Sequence, residues 1–372
     1  MESQTIAVIG ANGFIGSRLV AEALRHQVRV IALARRRKKH SAEKRVYNEL
    51  EDNLTPEQIN CFKKNLIIID YDLQEPQIGL AQDEITMIRE ECQHVFNCAG
   101  DTTFFPRDTS QLFFTNVDGP ARLIEELCSN GAVFHHVSTA YVAGKRSGVI
   151  YESELDIGQR FNNPYEESKH LGEKRVHEVC AQRCAQYNIY RPSIVIRNHV
   201  IPGKTPRLNH FYLFFNVLDS LYRDVEKSAQ ILEDGYYYFP VRFLALRDAR
   251  LNIVDLDFVT QALFYIGMNS SANGKTFHLV NPRPLSNQEF LDNIIQEIYK
   301  TKGLMIVERQ EDLNNPNVYE KMIQEWLSNY MVYFSLKLNF DMTNTINALQ
   351  GSGISHPTFD RAYVARAIGR AQ

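Results

Sequence analysis

Residues 6–16 read IAVIGANGFIG: an apolar run, glycines at 10, 13 and 16, then a helical pattern from about Phe14. Nothing else in the chain limits the fold so strongly. Glycine lets a backbone turn tightly and approach a ligand closely, and the free N–H groups at a helix start attract an anion such as a pyrophosphate. The spacing is GxxGxxG, not the GxGxxG of the usual fingerprint, and three glycines also suit a plain turn. Set between a first strand and a helix, the loop predicts a dinucleotide site. Gly10, Asn12, Gly13, Phe14, Ile15 and Gly16 are its candidate contacts.

The runs that follow extend this reading. Val28–Leu33, Leu66–Asp70, His94–Cys98, Val133–Ser138 and Ile189–Ile196 are short, apolar and rich in β-branched residues. Strands buried on both faces look like this, and the amphipathic stretches between them imply βαβ crossovers. The expected fold is therefore α/β, a doubly wound parallel Rossmann sheet, with a smaller, mostly helical C-terminal substrate lobe. Residues 199–250 break the pattern with Pro, Tyr and Phe, and strand–helix alternation returns over Leu251–Met268 and Phe277–Val280. Domain boundaries are set at 1–198 plus 251–281 for the nucleotide domain and 199–250 plus 282–372 for the lobe. Ser286, with Glu289 three residues on, predicts a capping box, and Asn314–Asn317 a turn.

Composition narrows the function classes. Lys and Arg total 41 against 44 Asp and Glu, a formal net charge of −3, so no global field draws in nucleic acid. No apolar run nears the roughly 18 residues of a transmembrane segment. The N-terminus MESQTIAVIG carries no signal-peptide pattern. The six cysteines lack CxxC spacing, which reads as reduced thiols and a cytoplasmic location. His135 and His136 have no partner at ligand spacing, so no metal site is expected and core packing is the reading; Cys180 and Cys184, four apart, read as packed thiols.

Two further features carry chemistry. After the second strand come Arg35, Arg36 and the rest of RRRKK (35–39), with no acid before Glu43. At this point of a dinucleotide fold an acid receives a ribose 2′-hydroxyl, whereas arginine suits a 2′-phosphate; NADP(H) is thus expected over NAD(H), a solvated charged face being the plainer alternative. Tyr165 and Lys169 in YEESK are four apart on a helical pattern and share one face. An ammonium beside a phenol favours phenolate and makes tyrosine a usable proton donor. Ser138 and Thr139 end an upstream strand, at the sheet edge where such folds bind ligands.

These residues resemble the extended short-chain dehydrogenases/reductases. More narrowly the chain is similar to the male-sterility, thioester-reductase branch, which includes fatty acyl-CoA reductases and the terminal domains of carboxylic acid reductases and nonribosomal peptide synthetases. IGANGFIG, YDLQEPQIGL, VFNCAGDTTFF, TNVDGPARLI, HVSTAYVAG, NPYEESKHLGEKRV, IYRPSIVI, NIVDLDFV and FHLVNPRPLS carry the likeness in the expected order, over about three quarters of the chain. The resemblance implies a triad of Thr139, Tyr165 and Lys169. It also implies cofactor contacts at Asp72 and Leu73 beside the adenine, at Cys98, Ala99 and Gly100 along the ribose, and at Pro192 and Ser193 near the nicotinamide. Asn116 matches a helix asparagine that supports the site in many members; a plain helix-start role is the alternative. Arg197, where glycine is usual, and Asp255, where proline is common, depart from the pattern.

The implied activity is NADPH-dependent reduction of an acyl thioester, delivered on coenzyme A or a carrier protein, to aldehyde or alcohol. A nucleotide-sugar epimerase or dehydratase, a hydroxy-ketone oxidoreductase and a non-catalytic NADPH-binding module are the alternatives. The basic run counts against an epimerase that recycles bound NAD, and the intact triad against a non-enzyme. The aromatic block 210–222 reads as core or as a homodimer interface, with an acyl pocket left open, and 232–240 as a candidate flap.

Overall fold

The structure, a computed structural model, describes residues 4–36, 40–128, 131–183, 185–201, 210–228, 231–269 and 273–370. The strands in chain order are β1 (Thr5–Ile9), β2 (Arg29–Ala34), β3 (Leu66–Asp70), β4 (His94–Asn97), β5 (Val133–Val137), β6 (Gly148–Ile150), β7 (Tyr187–Pro192), β8 (Ile194–Ile196), β9 (Tyr237–Leu244), β10 (Ile253–Asp255), β11 (Thr276–Leu279), β12 (Thr301–Val307) and β13 (Leu338–Phe340). Seven of them form one parallel sheet in the order β11-β7-β5-β4-β1-β2-β3. The order reverses between β1 and β4, and the glycine loop leaves the sheet at that switch point, where open α/β sheets bind ligands.

Alternation explains why the strands read as unbroken apolar runs. Ile6, Val8, Val30 and Ala32 face one layer, packed under the helices Phe14–Arg25 and Leu256–Gly267. Ala7, Ile9, Ile31 and Leu33 face the other, under Gln82–Glu91, Gly119–Leu127 and Pro164–Arg183. A strand covered on both sides has no polar face to show. The expected doubly wound sheet is present, and burial of each such Ile or Leu side chain stabilises it by about 2 kcal/mol.

Ile189–Ile196, expected as one strand, is two. β7 pairs with β5 and β11, then the chain breaks at Ser193 and β8 pairs with β10 in a separate two-stranded sheet. Ser193 sits at the break, its hydroxyl donating to Asn252 Oδ1 at 2.7 Å and its N–H to Leu279 O at 3.3 Å. Pro192 has no N–H for the ladder, so the break falls where pairing is already weak.

A second core gathers the aromatic helix His210–Ser228 with β9, β12, the helix Val318–Met331 and the C-terminal helix Arg361–Ala367. Phe211, Phe215, Leu218 and Leu221 are buried there, so most of block 210–222 is core. The stretch 232–240 is not a flap beyond its start: from Tyr237 it is strand β9, paired in parallel with β12. Tyr333, Leu338, Phe340 and Met342 pack instead with the core under the large sheet. Ser286 and Glu289 form the expected capping box, and Asn317, ending the expected turn, caps the helix Val318–Met331.

Candidate active site

Gly10 has φ +77°, a left-handed conformation that favours glycine. A Cβ there would stand 2.8 Å from the Ala99 nitrogen, and one at Gly16 2.2 Å from the Gly10 carbonyl oxygen. The loop thus lies flat against β4 and the first helix packs hard on the loop. Gly13 sits at the N-cap of that helix with no side chain to cap it. Its first N–H groups stay open for an anion. A cradle that a single Cβ would fill fits a pyrophosphate, so the residues present suit a nicotinamide dinucleotide.

Above the loop lies a cavity of about 400 Å³. Of the expected residues, Gly13, Phe14, Ile15, Cys98, Ala99, Gly100, Thr139, Tyr165, Lys169, Pro192 and Ser193 all line it. Gly10 and Gly16 shape its floor from beneath. Thr139 caps the turn Ala140–Ala143, its hydroxyl accepting from the Tyr141 N–H at 3.3 Å and donating to Pro192 O at 3.4 Å. Tyr165 and Lys169 project from the first turns of Pro164–Arg183.

The electrostatics differ from the expectation at one point. Burial pushes the Tyr165 phenol up to about 12; a hydrogen bond with Thr139 pulls it down, and the Glu166 and Asp101 carboxylates add to the rise. Lys169 does not offset this, because its Nζ is turned into the sheet, donating to Val137 O at 2.7 Å and standing 3.5 Å from His136 Nε2. Burial lowers the Lys169 ammonium to about 8, against the Glu173 carboxylate and the Cys98 thiol, which raise it. His136 is fixed from behind: Asn97 Oδ1 accepts the Ala99 N–H, so Asn97 Nδ2 faces His136 Nδ1 as a donor. The neutral ring then carries its proton on Nε2, towards Lys169, and further disfavours the charged amine. His136 is the buried core residue expected of it, and Asn97, which the sequence reading passed over, sets its tautomer. Cys98 is pushed up to about 12 by burial and stays a thiol.

Two supports hold the helix of Tyr165 and Lys169. Asn116, in a π-turn at Phe114–Asp118, accepts the Asp101 N–H at 2.8 Å and donates to Ser168 Oγ at 2.9 Å. It lies behind the cavity, bracing the Gly100–Asp101 turn. One turn beyond Lys169, Glu173 takes a two-pronged pair from Arg191 of β7, at 3.0 Å from Nε and 2.7 Å from Nη2. Both side chains are buried. Burial raises Glu173, but Arg191 outweighs it and holds the carboxyl below its usual range.

The adenosine end is less closed. Arg36 Nη2 pairs with Asp70 Oδ2 at 2.7 Å at the end of β3, while the Arg35 side chain is exposed and has no ion pair among the described residues. Residues 37–39 of the basic run, and Cys184, lie outside the described residues. Asp72 is exposed, its carboxylate accepting the Gln74 N–H. Leu73 is buried against Gly119. Asn12 lies in the loop and is half-buried. Arg197 is buried, its guanidinium 5.5 Å from the Phe14 ring centroid. Asp255 caps the helix Leu256–Gly267 and accepts from Tyr363 Oη at 2.6 Å.

Phe104, Tyr141, Ile194, Val195 and Tyr333, which also line the cavity, escaped the sequence reading. Phe104 stacks on Tyr165 at 5.5 Å, and Tyr141 meets Tyr333 edge-on at 5.0 Å. Tyr333 receives a bond from Asn163 Nδ2 at 2.8 Å and donates to Glu166, the neighbour of Tyr165. Nothing local in the sequence ties residue 333 to residue 165.

Fold and site together define a dinucleotide-binding α/β protein of the Rossmann type. Within it, the chain belongs to the male sterility protein family, whose model matches residues 8–263. It is 26% identical over 332 residues to the isonitrile lipopeptide synthase of Mycobacterium tuberculosis, covering 82% of this chain and 12% of that protein. Probable fatty acyl-CoA reductase 4 of Arabidopsis thaliana is 27% identical over 209 residues, 51% of this chain and 42% of the relative. The chain thus spans less than half the length of these relatives. The terminal R domain of the myxalamid PKS-NRPS pathway superposes with a TM-score of 0.75 at 23% identity, over 98% of this chain and 90% of that one. A thiolation-reductase di-domain from an archaeal non-ribosomal peptide synthetase gives 0.77 at 18% identity, over 100% and 75%. At such identities the superpositions establish a shared fold. Among the described residues no helix is long and apolar enough to cross a membrane.

Proposed function

We propose that this chain reduces an acyl thioester with NADPH, using Thr139, Tyr165 and Lys169. The observation that carries the reading is convergence: these three side chains share one cavity with Gly13, Gly100, Pro192 and Ser193. A bound reduced nicotinamide supplies the hydride. The protein's part is to hold the carbonyl and manage charge. Tyr165, kept protonated by burial, donates to the carbonyl oxygen as negative charge grows there. Thr139 donates a second bond, each such donor lowering the barrier by about 3 kcal/mol. Lys169, swung from the Val137 carbonyl, grips the ribose and stands ready to return a proton to Tyr165. The hemithioacetal formed from the substrate then releases thiol and aldehyde.

Names among the relatives, a fatty acyl-CoA reductase and a lipopeptide synthase, support a thioester on coenzyme A or a carrier arm. Arg35, exposed and without an ion pair among the described residues, supports a 2′-phosphate on the cofactor. The test follows NADPH absorbance with a panel of acyl-CoA thioesters and with nucleotide sugars. Consumption with a thioester, lost in Tyr165→Phe while NADPH still binds, is the expected result. Turnover of a nucleotide sugar instead would move the chain to the epimerase class.

A further inference from the structure

Two arginines stand beside the start of the helix Phe14–Arg25, the end that leaves its first N–H groups open. Arg18, one turn in, is committed: its Nε donates to Asp257 Oδ1 at 2.7 Å and its Nη1 to Asn53 Oδ1 at 3.1 Å. Arg197, directly after β8, is not. The residue is 8% exposed, yet its Nη1 has no hydrogen-bond partner among the described residues. Asp52 Oδ2 stands 3.9 Å from that nitrogen, close enough to attract it and too far to accept a bond.

Arg197 is held at both ends. Tyr212, from the second core, brackets its backbone: the Tyr212 hydroxyl accepts the Arg197 N–H at 3.0 Å and donates to the Arg197 carbonyl at 3.3 Å. The guanidinium lies over the Phe14 ring, with Cζ 5.5 Å from the centroid. Phe14 is the first residue of the helix and lines the active cavity. A guanidinium stacked on a ring uses its flat face and leaves the N–H groups in its plane free to donate. Burying such donors unfilled is destabilising. Burial also works against the charge, which the Asp52 carboxylate supports. A phosphate oxygen would offset both, since it matches a guanidinium in charge and in geometry. The open helix start beside Phe14 is where such an anion would sit.

We propose that Arg197 anchors the diphosphate of a ligand at the start of the helix Phe14–Arg25. It adds a full charge to a cradle otherwise built of backbone N–H groups. Two candidate ligands carry that group, the nicotinamide dinucleotide and coenzyme A.

The test titrates the full chain with each ligand and with a counterpart that lacks the diphosphate: NADPH against adenosine 2′-phosphate, and coenzyme A against pantetheine. Binding is read by fluorescence and calorimetry without turnover, so failure of the thioester reading leaves the test intact. In Arg197→Met the NADPH dissociation constant should rise about tenfold or more, the loss of one charge-assisted bond, with adenosine 2′-phosphate unchanged. If NADPH is unaffected while coenzyme A weakens and pantetheine does not, the anchored diphosphate is that of coenzyme A. Unchanged binding of both NADPH and coenzyme A overturns the proposal. So does equal weakening of a ligand and its counterpart, which marks distortion of the whole site. The urea midpoint is a second readout. Because the guanidinium is buried with a donor unfilled, its removal should leave the midpoint unchanged or higher while affinity falls. A lower midpoint with unchanged affinity marks a packing residue and overturns the proposal. Should Arg197→Met fail to fold, Arg197→Gln removes the charge while keeping a polar side chain, and the same outcomes decide.

Discussion

The cavity has two halves of opposite make-up. The cofactor half is backbone and small residues: Gly10, Gly13, Gly16, Ala99 and Gly100 come from two loops at the switch point of the sheet. The half proposed for the acyl group is side chain: Phe104, Tyr141, Ile194 and Tyr333 reach in from four separate places in the chain. A pyrophosphate is recognised by N–H groups and by closeness, so that half must be written as a short motif. An apolar tail is recognised by volume alone, and many arrangements of large residues supply it. One half tolerates no added atom at Gly10, Gly13 or Gly16, whereas the other trades one apolar shape for another.

Several substitutions press on that contrast. Tyr165→Phe, at the boundary of the halves, should lower kcat about a thousandfold with the NADPH dissociation constant within twofold, by stopped-flow and fluorescence titration. Arg191→Met leaves the buried Glu173 carboxylate unpaired and should lower unfolding free energy by about 3–5 kcal/mol in urea titration. Gly16→Ala pushes a Cβ against the Gly10 carbonyl and should weaken NADPH binding at least tenfold. Tyr141→Phe on the acyl side should change kcat/KM less than threefold; a tenfold loss there would break the contrast. Arg35→Ser should raise the KM for NADPH about tenfold and that for NADH less than twofold.

A further effect is in pH. Lys169 has its proton below about 8 and loses it above. If the charge is needed, kcat/KM should fall about fourfold between pH 7 and pH 8.5, and the limb should vanish in Lys169→Ala along with most activity. A flat profile across that window would remove the charge from the mechanism.

What the sequence disclosed follows the same divide. The sheet was legible because strands covered on both faces are unbroken Val and Ile runs, and the glycine loop because it is local. Thr139, Tyr165 and Lys169 were legible as strand-end and helix-turn spacings. The direction of Lys169 was not, because it depends on a carbonyl of β5 and on Asn97 reaching His136 across two strands. The break at Ser193 was hidden too, since β7 and β8 are equally apolar and only the partners β11 and β10 tell them apart. Tyr333 was out of reach, being brought to Tyr165 by the packing of the whole C-terminal segment.

The break at Ser193 joins the two halves more tightly than any contact does. Pro192, Ser193, Ile194 and Val195 all line the cavity, and Ile194 also borders a void in the second core. These four are consecutive, so one inserted or deleted residue would turn the following strand over and exchange its inner and outer faces. Drift that reshapes this wall of the cavity must therefore come through replacement of side chains, never through a change of length in this segment.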